Sequence, residues 1–579
     1  MTARRIKFFS PYMAFLRRAA SRAVRPVFAP LGRVGLSGGK PAPFHAAKPK
    51  LLLGNPEVRS SILRGQFQYA GQSLDVGLQG NPWTIATPSM RFATWLHGFS
   101  WLVDGLGIKG TSGHTRMAGL VDSWIVTYGQ WNDFAWAPDI LSERLFYWLA
   151  FWSPALSTAV SDVQTLRRRT SAVKQLKALR KSYGRVSQGI PKLRAAAAIT
   201  LGGARLSDPS QIYLARGLDW LDDEIDRQIL PDGGHVSRSP EQTAQALGIL
   251  LIVDQILQDR GVEGSQTLSR AIDRLAPVVS FFRHADGSLA AFNGGGAVAK
   301  RIVKTLLANA PGEPKPFGYC PHTGYQRIAR DNLVLIMDTS SAPPAPFDLE
   351  AHMAPLAFEV STPEGRLLTS CGWNAEQPPA WRRPIRAAAA HNTLTIHDRS
   401  PGRLLALGWK TRLLGEAVDV AAGPVRAVRK EQDGGVWLEA SQEGYRADYG
   451  LSHRRRFYVS KFGDDLRGED SLLLPLGQAA LRRDEVDFNI RFHVHPSVRV
   501  SLSQDQASVL LVQDGKSGWR FRSDSGPLKI EDSVYLAEGH RPVRSQQIVI
   551  SGRAYCDSDG EGRTNRVRWS LRKLKSRNA

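Results

Sequence analysis

Two neighbouring stretches, "AFNGGGAVAK" (291–300) and "APGEPKPFGYCPH" (310–322), divide the chain into halves of different hydrophobic period. Glycine and proline at this density interrupt both helices and strands. Upstream, from about residue 94 to 283, aromatic and aliphatic residues return every three or four positions. The clearest cases are "WLHGFSWLVDGL" (95–106), "ILSERLFYWLAFW" (140–152) and "IYLARGLDWLDDEIDRQIL" (212–230), the spacing of amphipathic helices. Start signals agree: "SDPS" (207–210) sets a cap and Pro209 before one helix, and "SPEQ" (239–242) gives another a Ser239 cap, Pro240 in its first turn and Gln242 at the capping-box position. Helices joined by short polar turns predict hairpins packed side by side, closed or partly closed into a ring. From Tyr325 onward period-two runs take over, such as "NLVLIMD" (332–338), "LAFEVS" (356–361), "FNIRFHVHP" (488–496) and "QQIVI" (546–550). Many short strands divided by Gly, Asp, Asn and Pro turns predict an antiparallel β-sandwich. The expectation is an α+β multidomain chain: a basic tail over 1–50, a helical domain over 51–312 and a sandwich over 313–579, with the cleft between helices and sheets as the binding site.

A chain of 579 residues is long for one core, and 42% hydrophobic with 22% charged residues excludes disorder as the default. The net charge of +23 is concentrated, because residues 1–50 hold 11 Lys/Arg and no acid, and residues 163–206 hold another 11 with none. Such fields favour polyanions: acidic glycan, nucleic acid or an anionic membrane surface. No nucleic-acid recognition motif accompanies the charge, so a specific nucleic-acid partner is not expected. The basic amino terminus suits peripheral contact with an anionic membrane, either as an amphipathic helix or as a disordered tail. Its positive flank lacks the apolar run of a signal peptide, since Arg17 and Arg18 interrupt it. The expected location is therefore cytoplasmic or membrane-peripheral, with the periplasm left open. Three scattered cysteines, Cys320, Cys371 and Cys556, make neither a disulfide framework nor a cysteine-rich zinc site.

Chemistry-bearing residues cluster in a few places. "DGGHVSRSP" (232–240) sets His235 and Arg238 just ahead of a helix, where backbone N–H groups favour an anion; the bland alternative is that the turn only caps the helix. "FFRHADGSLAAFNGGG" (281–296) brings Arg283, His284, Asp286 and Asn293 together, with glycines that fit no phosphate loop. His493 and His495 share one strand face, which suits a metal pair, though no third ligand is in view.

The order of these segments resembles a known family. A tryptophan-rich helical region, a "DGG…SP" turn, "FFRHADGSLAAFNG", "HMAPLAFEVSTPEGRLLTSCG" (352–372) and "HNTLTIHDRS" (391–400) are similar, over roughly residues 60–575, to the heparinase II/III-like proteins. These are polysaccharide lyases with an α/α toroid followed by an antiparallel β-sandwich. The resemblance implies β-elimination on a uronate-containing, acidic polysaccharide. That reaction needs a group to neutralise the sugar carboxylate, a base for the α-proton and an acid for the leaving oxygen. On this chain the implied catalytic groups are His235, Arg238, His352, His391 and Tyr325, with Arg238 pairing with the carboxylate, and the implied substrate-binding groups are Arg283, His284, Asn293, Asn392 and Arg386. The pattern also departs from the family. The usual Glu and Tyr of the turn are Ser237 and Gln242, the usual Asn-His pair falls at Ile190 and Pro191, and a usual histidine is Glu350. No cofactor is demanded. The one the resemblance raises is zinc, on His352 and His391, where the third ligand position is Ser370, with Cys371 beside it. Two accounts follow: a lyase that has rebuilt its site, or a lyase-like protein that binds an acidic cell-envelope glycan without cleaving it. The sequence leaves the oligomeric state open.

Overall fold

The structure is a computed structural model that describes residues 43–45, 51, 54–106, 111–152, 161–206, 212–296, 298–474, 484–515, 517–557 and 565–574. The basic tail, except for residues 43–45, and the "SDPS" cap lie outside the described residues. Contacts group the chain into two compact units: one holds residues up to Leu230 with Ala244–Ala276 and Lys304–Pro314, the other Pro231–Thr243, Pro277–Val303 and Lys315–Ala579.

The first unit is helical, with Met90–Gly98, Thr111–Tyr128, Pro138–Ala150, Asp162–Ser182, Ile190–Arg205 and Ile212–Gln228 among its elements. Its apolar stripes meet in an aromatic cluster in which Phe99, Trp124 and Trp148 pack edge to face at 5.3–6.1 Å between ring centroids. Arginines complete this core. Arg144, buried, lies 4.1 Å from the Trp124 ring centroid and donates to Gln175 and to the carbonyls of His97 and Ala135. Arg205 donates to the carbonyls of Leu149 and Ala150, tying one helix to the end of its neighbour. None of the described helices is long and apolar enough to cross a membrane.

The second unit carries two large antiparallel sheets and a small one that pairs Arg403–Leu404 with Val418–Val420. The eight-stranded sheet runs in the order Val425–Gln432, Gly435–Gln442, Ser452–Ser460, Asp465–Leu473, Arg566–Lys573, Ser517–Ser523, Ser508–Gln513, Val498–Leu502. The nine-stranded sheet has Val543–Tyr555 and Glu485–Val494 towards one edge and Phe358–Thr362, Leu333–Asp338 and Tyr325–Arg330 towards the other. Alternation is strict where one face is solvated: in Ser452–Ser460, His453, Arg455, Phe457 and Val459 are buried while the residues between them are half-exposed. Leu333–Asp338 is buried throughout. The inward side chains form one hydrophobic cluster around Phe358, Phe457, Phe492, Phe521 and Trp569. Gly468 stands opposite Trp569 in the register, and a Cβ there would meet the indole at 2.2 Å. The missing side chain is what lets the indole lie flat on the sheet. Gly468→Ala should therefore overpack the core and cost about 1–3 kcal/mol. Differential scanning calorimetry will read this as a lower transition temperature, whereas Ser570→Ala on the solvated side of the same sheet should leave it unchanged.

Candidate functional site

All the residues singled out from the sequence for catalysis and substrate binding belong to the second unit. The turn at 231–243 works as a cap: Ser239 Oγ accepts from the Gln242 N–H at 3.4 Å, and the helix Pro240–Asp259 begins behind it. The two residues expected to act on substrate sit differently. His235 is fully buried; its Nδ1 lies 2.7 Å from Ser237 Oγ, and burial pushes its pKa down to about 3, so it is neutral. Arg238 adopts a left-handed backbone, φ 59°, and turns its guanidinium inward. Nε donates to the Thr323 carbonyl at 2.8 Å, Nη1 to the Ser341 carbonyl, and Nη2 to the Gly324 carbonyl and the Asp338 carboxylate, with which it forms a buried ion pair. The carboxylate that Arg238 meets is thus that of Asp338, and the pairing with a uronate expected from the sequence would require breaking this ion pair.

Tyr325 and Asn293 extend this network. The Tyr325 hydroxyl donates to the Arg238 carbonyl at 2.7 Å and accepts from Asn293 Nδ2 at 2.8 Å, and burial raises its pKa well above the ordinary tyrosine value. Asn293, also left-handed at φ 49°, accepts through Oδ1 from the His352 N–H at 2.9 Å. The His352 ring faces the backbone N–H groups of Asn293 and Gly294 at 3.1 and 3.0 Å, and it lies 4.4 Å from the His391 ring, centroid to centroid. The structure therefore does bring Arg238, Tyr325, Asn293, His352 and His391 into one chain of contacts. It is a buried chain.

The remaining candidates are structural in their bonding. Arg386 donates to the carbonyls of Ala351, Glu416 and Asp348, and Asn392 bridges the Phe358 carbonyl and the His493 N–H. His284 contacts Ser361 Oγ at 2.9 Å and Glu359 at 3.0 Å, with burial holding its pKa at about 4. Arg283 alone is half-exposed. His493 is held by Ser533 Oγ and the Ala389 carbonyl while His495 bonds Ser497, so the expected metal pair has no common focus.

The zinc expectation fits poorly. His391 Nε2 donates to the Ile385 carbonyl at 2.9 Å, Nδ1 and Ser370 Oγ have no hydrogen-bond partner, and both histidines are neutral. A hydroxyl in place of a carboxylate leaves no negative ligand, and no group of three His, Cys, Asp or Glu side chains that could hold a metal occurs among the described residues.

Sequence reading missed the partners that bury these groups, Asp338, Glu359 and Arg366. Glu359 was visible as a lone carboxylate inside the apolar run "LAFEVS", the one signal that could have flagged it.

Comparison with known proteins gives four matches. The family model described as "Heparinase II/III-like, C-terminal" matches residues 312–570. FtsZ-localized protein C of Caulobacter vibrioides is 34% identical over 523 residues, covering 90% of this chain and 88% of that one. Among solved structures, heparinase III superposes with a TM-score of 0.69 at 13% identity, covering 98% of this chain and 93% of that one. Heparan sulfate lyase HepC from Pedobacter heparinus superposes with a TM-score of 0.58 at 15% identity, covering 97% and 89%. At such identities the likeness establishes the fold: an α/α toroid followed by an antiparallel sandwich.

Two outcomes follow from the geometry. Asp338→Asn leaves the Arg238 cation buried without its partner and should destabilise by about 3–5 kcal/mol, read by urea unfolding. The histidines at 235, 284, 391 and 493 hold folded-state pKa values of about 3 to 4 against an ordinary 6.5. The unfolded chain thus binds more protons below pH 6.5, and stability, complete above that value, should fall as the pH drops towards 4. Calorimetric transition temperatures between pH 7.5 and 4.5 check this, and His235→Gln should flatten the slope.

Proposed function

From the premise that the chain belongs to the heparinase II/III-like family, we propose that it binds an acidic glycan without cleaving it. The observation that carries this reading is the inward bonding of Arg238, whose guanidinium is spent on Asp338 and three carbonyls. Elimination needs a neutraliser for the carboxylate, a base and an acid in reach of the sugar. Here the neutraliser is paired internally, the Tyr325 proton is committed to a backbone carbonyl, and His235 is walled off from solvent. The positions where the family places its own groups carry Ile190, Pro191, Gln242 and Glu350, the last paired with Arg382. The name of the Caulobacter relative adds a second reading about place: this protein works where FtsZ is assembled.

Heparin and polygalacturonate incubated with the purified chain should give no rise in the ultraviolet absorbance of an unsaturated uronate, while both bind measurably in calorimetry. A rise that is lost in Tyr325→Phe would instead establish a lyase. For the second reading, a fluorescent fusion expressed in Caulobacter vibrioides lacking FtsZ-localized protein C should coincide with FtsZ and disperse when FtsZ is depleted; a diffuse signal in cells with normal FtsZ rings would refute it.

A further inference from the structure

We infer that the solvent face of the eight-stranded sheet is the docking surface for a linear acidic glycan, an inference that rests on the glycan-binding reading above and gives it a location. The face is defined by strand alternation and register. One row across the sheet reads Arg426, Ser441, Arg454, Ser471, Arg566; the next reads Val428, Glu439, Arg456, Glu469, Arg568. Beyond them Lys430, Trp437, Tyr458, Arg467, Ser570 and Arg522 align, followed by Asp465, Arg572 and Arg520. In these rows ten cations stand with three carboxylates.

The carboxylates are heavily oversubscribed. Glu469 lies within 3.3–3.9 Å of Arg454, Arg456, Arg566 and Arg568, and Asp465 serves both Arg467 and Arg572. Arg520 and Arg522, both exposed, have no ion pair among the described residues. The Arg454 Nε is buried without a hydrogen-bond partner, and burial together with neighbouring Arg456 disfavours its charged form. A sheet carrying this surplus repels itself, and a bound polyanion relieves the repulsion. Nine of the ten cations are arginines, whose planar fork suits carboxylates and sulfates in a bidentate grip that lysine does not offer.

Spacing and apolar surface point to a glycan among polyanions. In the first row the arginines occupy alternate strands, a step of about 9.6 Å from twice the strand spacing. A 1→4-linked chain with one acid per disaccharide presents its charges at a similar step. An extended polypeptide advances only about 3.4 Å per residue and turns successive side chains to opposite sides. On the same face the Trp437 indole, 48% exposed, packs against Tyr458 at 4.8 Å between centroids. Its open side offers the apolar surface that the C–H face of a pyranose needs.

The test uses the full chain with fluorescein-labelled heparin and with polygalacturonate, measured by anisotropy and calorimetry across a salt series. Two variants address the face independently: Arg454→Ser/Arg566→Ser/Arg568→Ser, and Arg520→Glu/Arg522→Glu, the second removing no ion pair seen in the described structure and so expected to fold normally. Each should weaken heparin binding at least tenfold and reduce its salt dependence, and Trp437→Ala should weaken polygalacturonate binding at unchanged melting temperature. Wild-type binding that survives in both charge variants overturns the face while leaving the glycan-binding reading intact. Absence of glycan binding by the wild-type chain overturns that reading itself. Tighter binding of phosphatidylglycerol vesicles than of either glycan, lost in the same variants, assigns the face to lipid and overturns the glycan.

Discussion

A single buried carboxylate organises the second unit. Glu359 stands in the wholly buried strand Phe358–Thr362 and has no solvent exposure, yet it gathers Arg366 Nη1, His284 Nε2 and the N–H groups of Ala291 and Ser370, all at 3.0–3.1 Å. Burial opposes its ionisation; the Arg366 charge and the His284 hydrogen bond outweigh that and hold its pKa at about 2. The groups it gathers come from three places in the chain: the segment 277–303, the strand Gly365–Leu368 and the loop that follows it. Those are the pieces on which Asn293, Ser370 and the His352–His391 contact depend. An uncompensated charge here would cost several kcal/mol, so every partner is fixed in place.

The Arg238–Asp338 pair repeats the arrangement for the turn at 231–243. Its consequence is a conflict between order and reactivity. The Arg238 guanidinium holds Asp338 and three carbonyls, so meeting an incoming carboxylate would mean giving these bonds up, and His235 is buried and neutral beside Ser237. In a lyase such groups have to be held and also left one bond short. Here the bonds close on the protein itself, and the left-handed backbone at Arg238 and Asn293 is retained inside a hydrogen-bonded lattice.

The halves of the fold were readable because periodicity reports burial one strand or helix at a time: the switch from three-to-four spacing to alternation between "AFNGGGAVAK" and Tyr325 is where helices give way to sheets. The Ser239 cap was readable for the same local reason. What sequence could not carry was the partner of each polar group. "DGGHVSRSP" has the composition of an exposed turn, and its burial is decided by Asp338 and Thr323, 85 to 100 residues away. Likewise "LAFEVS" shows a carboxylate in an apolar run without naming Arg366 and His284 as the groups that make it tolerable. The candidate site was recognised as a set of residues, while its bonding, which separates an active centre from a buried scaffold, is a long-range property.

The same bonding explains where the chain's positive charge ends up. Interior arginines take interior acids: Arg238 with Asp338, Arg366 with Glu359, Arg455 with Asp470, each pair nearly or fully removed from solvent. Each such pair withdraws one acid and one base, so the excess of 76 Lys and Arg over 53 acids falls on the rest of the chain. Surface arginines are left to share what remains, four of them around Glu469 alone. The interior pairs are neutral, so the surplus is left to the surface, and on the outer sheet, where one carboxylate serves several arginines, it makes the field that a polyanion would feel.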